Sequence, residues 1–166
     1  MCITGCANWQ PYTSAIEEKY AITLEERGQL QYKNSKEIVL KNQSDSLEKE
    51  IIDGELVIKN DSRAAEVIIP EKTNGAVIES SASGTINVSF SKNDECYLRF
   101  IEDSNGKFVL GQVSSGGKKS FVKYCGTSEE DKYTVTSGSN AYLLFSMKQL
   151  NKLKKTKKTE KGRKVK

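Results

Sequence analysis

The chain has 166 residues, of which 36% are hydrophobic and 29% are charged, and it contains no histidine. This length suits one domain with tails, and the lack of histidine removes the usual general base and the commonest zinc ligand. No apolar run approaches the roughly 18 residues that a membrane-spanning helix needs.

Charge divides the chain into two regions of opposite sign, which the formal net charge of +4 conceals. From Lys148 to Lys166 there are ten Lys or Arg residues and one acid, Glu160, a net charge of +9. The preceding 147 residues carry 16 basic and 21 acidic side chains, a net charge of −5. A basic end on an acidic body is typical of an interaction tail.

The first part of the chain, residues 7–22, mixes polar residues with the aromatic residues Trp9, Tyr12 and Tyr20 and lacks sustained periodicity. We interpret it as a tether whose rings either dock on the body, the preferred alternative, or lie at a membrane interface. A capping box formed by Thr23 and Glu26 then predicts a short helix over 24–32, the only helix expected before the tail.

After this helix, short β-rich runs alternate with turn signals, among them Asp53-Gly54, Asn74-Gly75 and Asn105-Gly106. Ile86, Val88 and Phe90 alternate with polar residues, which puts them on one face of a strand. About ten strands at this spacing predict a single all-β domain over residues 23–147, an antiparallel sandwich or small open barrel. The predicted strands cover residues 37–40, 51–52, 56–58, 65–69, 76–78, 85–90, 96–101, 108–110, 121–125, 133–136 and 141–147.

The segment Ile3-Thr4-Gly5-Cys6 resembles a bacterial lipobox, in which a small residue precedes a cysteine that is lipidated and becomes N-terminal. The resemblance covers these four residues and points to no particular family. It implies that residues 1–6 are the remnant of a signal, that Cys2 leaves with it, and that Cys6 carries the lipid. A secretory signal also needs a charged segment and an apolar segment of roughly 7–15 residues, so this interpretation expects more signal sequence upstream of Met1.

The same resemblance implies a location. Ala7 stands where an aspartate retains enterobacterial lipoproteins in the inner membrane, which favours the outer membrane of the bacterial envelope, facing the periplasm. In that oxidising compartment we expect a disulfide between Cys96 and Cys125, closing about 30 residues and contributing roughly 3–4 kcal/mol. Without the lipobox, two reduced cysteines packed in the core are favoured instead.

The basic end, residues 148–166, is interpreted as a tail separate from the fold, because Leu150, Leu153 and Val165 are too few apolar residues to order it. Its removal from Lys152 onward is therefore expected to leave the melting temperature nearly unchanged. It is a solvated end, an edge strand protected by lysines, or a polyanion contact with nucleic acid, anionic lipid or glycan. The candidate residues for that contact are Lys152, Lys154, Lys155, Lys157, Lys158, Lys161, Arg163, Lys164 and Lys166.

No catalytic residue, metal site or cofactor is predicted, since the chain has no G-x-S-x-G motif, no histidine to activate a serine and no C-x-x-C. No small-molecule substrate is inferred. The leading hypothesis is a non-enzymatic envelope lipoprotein, a structural or interaction module of a membrane-associated assembly with other envelope proteins as partners. The alternative is a cytoplasmic nucleic-acid-binding β-barrel that uses the basic tail, and an enzyme comes third.

Overall fold

Antiparallel strands dominate the computed structural model, which describes residues 8–42, 49–52, 55–58, 66–115, 119–127, 131–156 and 162. The helices are α1 (Ser14–Lys19), α2 (Leu24–Gln29) and α3 (Met147–Thr156). The strands are β1 (Trp9–Pro11), β2 (Tyr32–Asn34), β3 (Ile38–Asn42), β4 (Lys49–Ile52), β5 (Glu55–Ile58), β6 (Glu66–Ile69), β7 (Asn74–Ser81), β8 (Thr85–Ser89), β9 (Tyr97–Glu102), β10 (Phe108–Leu110), β11 (Val113–Ser115), β12 (Lys119–Lys123), β13 (Lys132–Ser137) and β14 (Leu143–Ser146).

The larger layer is a seven-stranded sheet with the order β1-β14-β2-β7-β8-β9-β10. The first and last strands of the described chain are neighbours in it, since β1 pairs with β14. Isolated bridges join Thr13 to Lys107 and Val109 to Tyr142, so the two edges of this sheet approach each other. The sheet thus brings the start of the described chain against the strand that leads into α3.

The second layer is a five-stranded sheet with the order β11-β12-β13-β3-β6, and β4 and β5 form a separate antiparallel pair. One covalent bond joins the two layers. Cys96 lies just before β9 of the larger sheet and Cys125 just after β12 of the smaller one, and the two form a disulfide with their Cα atoms 4.0 Å apart. The predicted disulfide is confirmed.

One hydrophobic cluster contains residues of both sheets. Ile38 and Leu40 come from β3 of the smaller sheet, and Ile86 of β8 and Phe100 of β9 come from the larger one. Such a shared core between two antiparallel sheets is the arrangement of a β-sandwich. The prediction of an antiparallel all-β fold with this architecture is confirmed. Burial of Ile86 and Val88, with Phe90 packed against the cluster, also confirms their shared inward face.

Local turn signals had mixed outcomes. Asn105-Gly106 connects β9 to β10 as predicted, with Gly106 in the left-handed region at φ 79°. Asn74-Gly75 was predicted as a turn, which is wrong, because these two residues begin β7. Asp53-Gly54 lies outside the described residues, although the flanking strands β4 and β5 do pair antiparallel.

Helix α2 confirms the capping box. The Thr23 hydroxyl accepts from the Glu26 backbone N–H at 3.1 Å, and the Glu26 carboxylate accepts from the Thr23 N–H at 3.0 Å. The helix ends at Gln29, earlier than predicted, and Tyr32 instead begins β2. With β1 and β11, β2 is one of three described strands that the sequence pattern did not indicate.

The tether interpretation of residues 7–22 is wrong for the described part of that segment. Trp9–Pro11 pairs with β14, α1 follows, and the Tyr12 side chain is fully buried. The Tyr12 ring contacts the rings of Tyr32, Phe145 and Phe108, with centroid distances of 5.1, 5.2 and 5.5 Å. The preference for docked aromatic residues over a membrane interface is confirmed for Tyr12, which is part of the core.

The separate-tail interpretation of residues 148–166 is also wrong for its first half. Residues Met147–Thr156 form α3, in which Leu150 is completely buried and Leu153 packs against the core cluster. The Gln149 side chain accepts a hydrogen bond from the Gln31 backbone N–H at 3.1 Å. Apolar residues at every third position are enough to dock a helix when one face meets an existing core.

We therefore expect Leu150→Ala to lower the free energy of unfolding by about 2–5 kcal/mol, because it leaves a cavity between α3 and the body. The exposed neighbour Lys152→Ala should change it by less than about 0.5 kcal/mol. Urea unfolding followed by circular dichroism measures both. Equal stability of the two variants would mean that α3 is not docked.

Candidate membrane-attachment surface

The candidate surface lies where the first strand meets the last helix. Trp9 pairs with Ser146, and α3 begins at the next residue, Met147. Cys6 lies outside the described residues, but it stands only three positions before Trp9 in the sequence. A fully extended chain of that length spans at most about 11 Å. A lipid on Cys6 would therefore be attached close to the start of α3.

Three exposed lysines line one side of α3. Lys148, Lys152 and Lys155 follow one another at intervals of four and three residues, the spacing that places side chains on one helical face. Lys152 and Lys155 belong to the predicted polyanion contact. Lys148 was missed among the candidates, although the helical spacing of the three lysines is visible in the sequence.

Lys154, another predicted contact residue, has a different role. Its ammonium group donates to the Glu26 carboxylate at 2.7 Å and to the Ala21 backbone carbonyl at 3.2 Å. Since Glu26 also caps α2, this ion pair connects the start of α2 to α3. The assignment of Lys154 to a polyanion contact is corrected, because its charge faces the body.

The remaining candidates for the polyanion contact lie outside the described residues: Lys157, Lys158, Lys161, Arg163, Lys164 and Lys166. The structure thus brings three lysines together on α3 and leaves the assignment of these six cations as a prediction.

An aromatic side chain lies beside this end of the helix. The ring of Trp9 is half-buried, and the ammonium nitrogen of Lys33 is 4.7 Å from its centroid. An indole combines an apolar body with a polar N–H, and rings of this kind are favoured where a membrane meets water. The edge of the sheet therefore presents an aromatic ring and a cation where β1 begins.

A part-buried ion pair holds the N-terminal segment on the body. The Arg27 guanidinium donates twice to the Glu17 carboxylate, from Nε at 2.6 Å and from Nη2 at 2.7 Å. The Tyr12 hydroxyl donates to the same carboxylate at 2.7 Å, and Arg27 Nη1 donates to the Ser81 carbonyl at 2.9 Å. These bonds connect α1, α2, β7 and the core tyrosine in one network.

The electrostatics of this network favour neutral tyrosine. Burial raises the pKa of Tyr12 far above its ordinary value, and the hydrogen bond to Glu17 and the charge of that carboxylate raise it further. Burial likewise raises the pKa of Tyr32, whose hydroxyl donates to the Arg27 carbonyl at 3.0 Å. For Arg27, burial lowers the pKa, but the Glu17 hydrogen bonds and charge outweigh it, and the pKa is raised. The two tyrosines of the network are therefore neutral at neutral pH, and the hydrogen bonds of the network clamp α1 to α2.

The rest of the described surface offers little to a small molecule or to a metal ion. A recess of about 240 Å³ on the outer side of β7, β8 and β9 is smaller than the usual 300–1,000 Å³ of small-molecule sites. It is lined by Glu79, Ser80, Ser81, Thr85, Asn87 and Arg99. Within the described ranges, no three His, Cys, Asp or Glu side chains are grouped so that they could hold a metal ion.

Compared with known protein families, curated proteins and solved structures, the chain matches none of them. Among the helices in the described ranges, none has the length and apolar character needed to cross a membrane.

We expect Glu17→Gln to lower the free energy of unfolding by about 3 kcal/mol, because it leaves the buried Arg27 charge without its counter-charge. Its matched control is Glu18→Gln, an exposed carboxylate on the same helix, which should change stability by less than about 0.5 kcal/mol. Urea unfolding of the two variants at neutral pH makes the comparison. A loss of similar size in both would contradict the clamp.

Proposed function

We propose that the protein is a non-enzymatic lipoprotein of the bacterial envelope, anchored through lipid on Cys6 and serving as a structural or interaction module. The observation that carries the proposal is the position of β1. A tetrapeptide that resembles a lipobox stands three residues before a strand that is paired into the body, beside a helix that exposes lysines. The lipid would hold that end of the β-sandwich at a membrane.

The disulfide supports an envelope location. Cys96 and Cys125 are bonded across the two sheets, and such bonds persist in the periplasm and outside the cell but are rare in the cytosol. The same bond disfavours the alternative, a cytoplasmic nucleic-acid-binding protein. We propose the outer membrane, facing the periplasm, because Ala7 follows the lipidated cysteine.

A module of this kind acts through its surfaces. The described part of the body is a sandwich cross-linked by a disulfide, and the helices within it are short. Its proposed partners are other envelope proteins that reach the same membrane surface. No small-molecule substrate or cofactor is part of the proposal. The proposed function is to attach the β-sandwich to the membrane and to present its surface to partner proteins.

The anchor is tested by expressing the gene from its native start, with its upstream sequence, in the source cell. We expect the protein to incorporate labelled palmitate and to partition into the detergent phase, and Cys6→Ala to abolish both. Cys2→Ala is the matched control and should keep both, since only Cys6 occupies the lipidated position. Unlabelled, water-soluble protein that retains residues 1–5 would contradict the proposal.

A further inference from the structure

We propose that Lys148, Lys152 and Lys155 of α3 form a second membrane contact, which binds the anionic headgroups of phospholipids next to the lipid on Cys6. This inference rests on the proposed anchoring and adds a ligand, anionic lipid, and an orientation to it. The acyl chains would attach the protein to the membrane, and the lysines would determine which side of the body faces the bilayer.

Helix geometry makes the three lysines one surface. Intervals of four and three residues keep them within about 60° of one another around an α-helix of 3.6 residues per turn. They extend over seven residues, or about 10 Å at 1.5 Å per residue. Three ammonium groups over that length are spaced to meet neighbouring headgroups of one leaflet.

The opposite side of α3 is fixed to the body, so the exposed side has a defined direction. Leu150 is buried, Leu153 packs against the core, and Gln149 accepts from the Gln31 backbone. The ion pair from Lys154 to Glu26 holds the next turn. Because α3 cannot rotate without breaking these contacts, its three exposed lysines remain turned away from the sandwich.

The position of the lysines favours lipid over another polyanion. Trp9 pairs with Ser146, two residues before Lys148, and Cys6 is three residues before Trp9. A lipid at Cys6 would keep the start of α3 within a few residues' reach of the headgroups, where exposed cations are not yet screened at a Debye length of about 8 Å. Trp9, with Lys33 against its ring, belongs to the strand that pairs with the residue before α3.

The test uses the full chain without its lipid, as Cys6→Ala, mixed with phosphatidylcholine vesicles that do or do not contain phosphatidylglycerol. Co-sedimentation should occur with the anionic vesicles and weaken as salt is added. Each lysine near an anionic surface is worth roughly fivefold in partitioning, so Lys148→Gln, Lys152→Gln and Lys155→Gln together should weaken it by up to about 100-fold.

A matched control removes the same charge at the other end of the sheet. Lys36, Lys72 and Lys92 are exposed, and the Lys72 N–H bonds to Asn34, which pairs with Leu143 at the start of β14, away from α3. Glutamine at these three positions should weaken vesicle binding by less than about threefold. Thermal melting of each variant confirms that it is folded.

One further variant and two further ligands complete the design. Glutamine at the six cations that follow α3, from Lys157 to Lys166, should leave the dependence on the α3 lysines in place. A DNA duplex and an anionic glycan, at the same salt concentration, should bind more weakly than the anionic vesicles. Tighter binding to either would assign the surface to a different polyanion and overturn the inference.

The inference also fails if the α3 variant binds anionic vesicles as well as the parent chain, or if the control variant loses as much. These results are independent of the anchor. Vesicle binding through α3 in a protein that takes up no palmitate would leave the contact standing without the lipid. Palmitate labelling with no role for the α3 lysines would leave the lipid standing without the contact.

Discussion

The ion pair between Glu17 and Arg27 determines where the N-terminal segment of this protein lies. Two short hydrogen bonds join the side chains, and the hydroxyl of the buried Tyr12 adds a third to the same carboxylate. Part-buried charges of this kind are stable only as a pair, since either one alone would lack the solvation that it lost. With α1 and α2 clamped in this way, β1 is held against β14, and the start of the described chain is fixed beside α3.

The covalent and the ionic cross-links stabilise different parts of the fold. The Cys96–Cys125 bond ties the larger sheet to the smaller one, while Glu17–Arg27 and Lys154–Glu26 tie the helices to one another and to the sheet. Because the Glu26 carboxylate both caps α2 and pairs with Lys154, the residue that stabilises the start of α2 also holds α3 in place. The N-terminal and C-terminal elements of the described chain are thereby joined through a few polar contacts.

Sequence patterns predicted most of the strands, since alternation and turn dipeptides are local signals that tertiary packing left unchanged. Gly75 is an exception: it is buried in β7, where an added side chain would meet Val88 and Phe90, so this glycine serves close packing instead of a turn. Thr23 predicted its helix correctly because both halves of a capping box lie within four residues.

The predictions for residues 8–22 and 148–156 were wrong for a common reason. The tether was inferred from a mixed sequence without periodicity and the tail from its few apolar residues, whereas docking depends on the core that such residues meet. Tyr12 is one aromatic residue among polar neighbours, and it fills the centre of an aromatic cluster that only the fold creates. On α3, Met147, Leu150 and Leu153 recur every third residue, a helical signal that the surrounding lysines obscured. Of the candidate surface, the lipobox-like segment and two of the three lysines were predicted from the sequence. Their proximity was not, because it follows from the pairing of Trp9 with Ser146, which lie 137 residues apart.

We propose that the end of the body that contains β1 and α3 faces a lipid bilayer. Trp9 is the only tryptophan in the chain and lies at that end, so its fluorescence reports on the claim directly. The decisive measurement is quenching of Trp9 by brominated phospholipids when the lipidated protein is bound to anionic vesicles. We expect strong quenching in the parent protein and weaker quenching when the three exposed α3 lysines are replaced by glutamine. Protein that stays bound through its lipid while Trp9 remains unquenched would contradict the account, because the body would then stand away from the membrane.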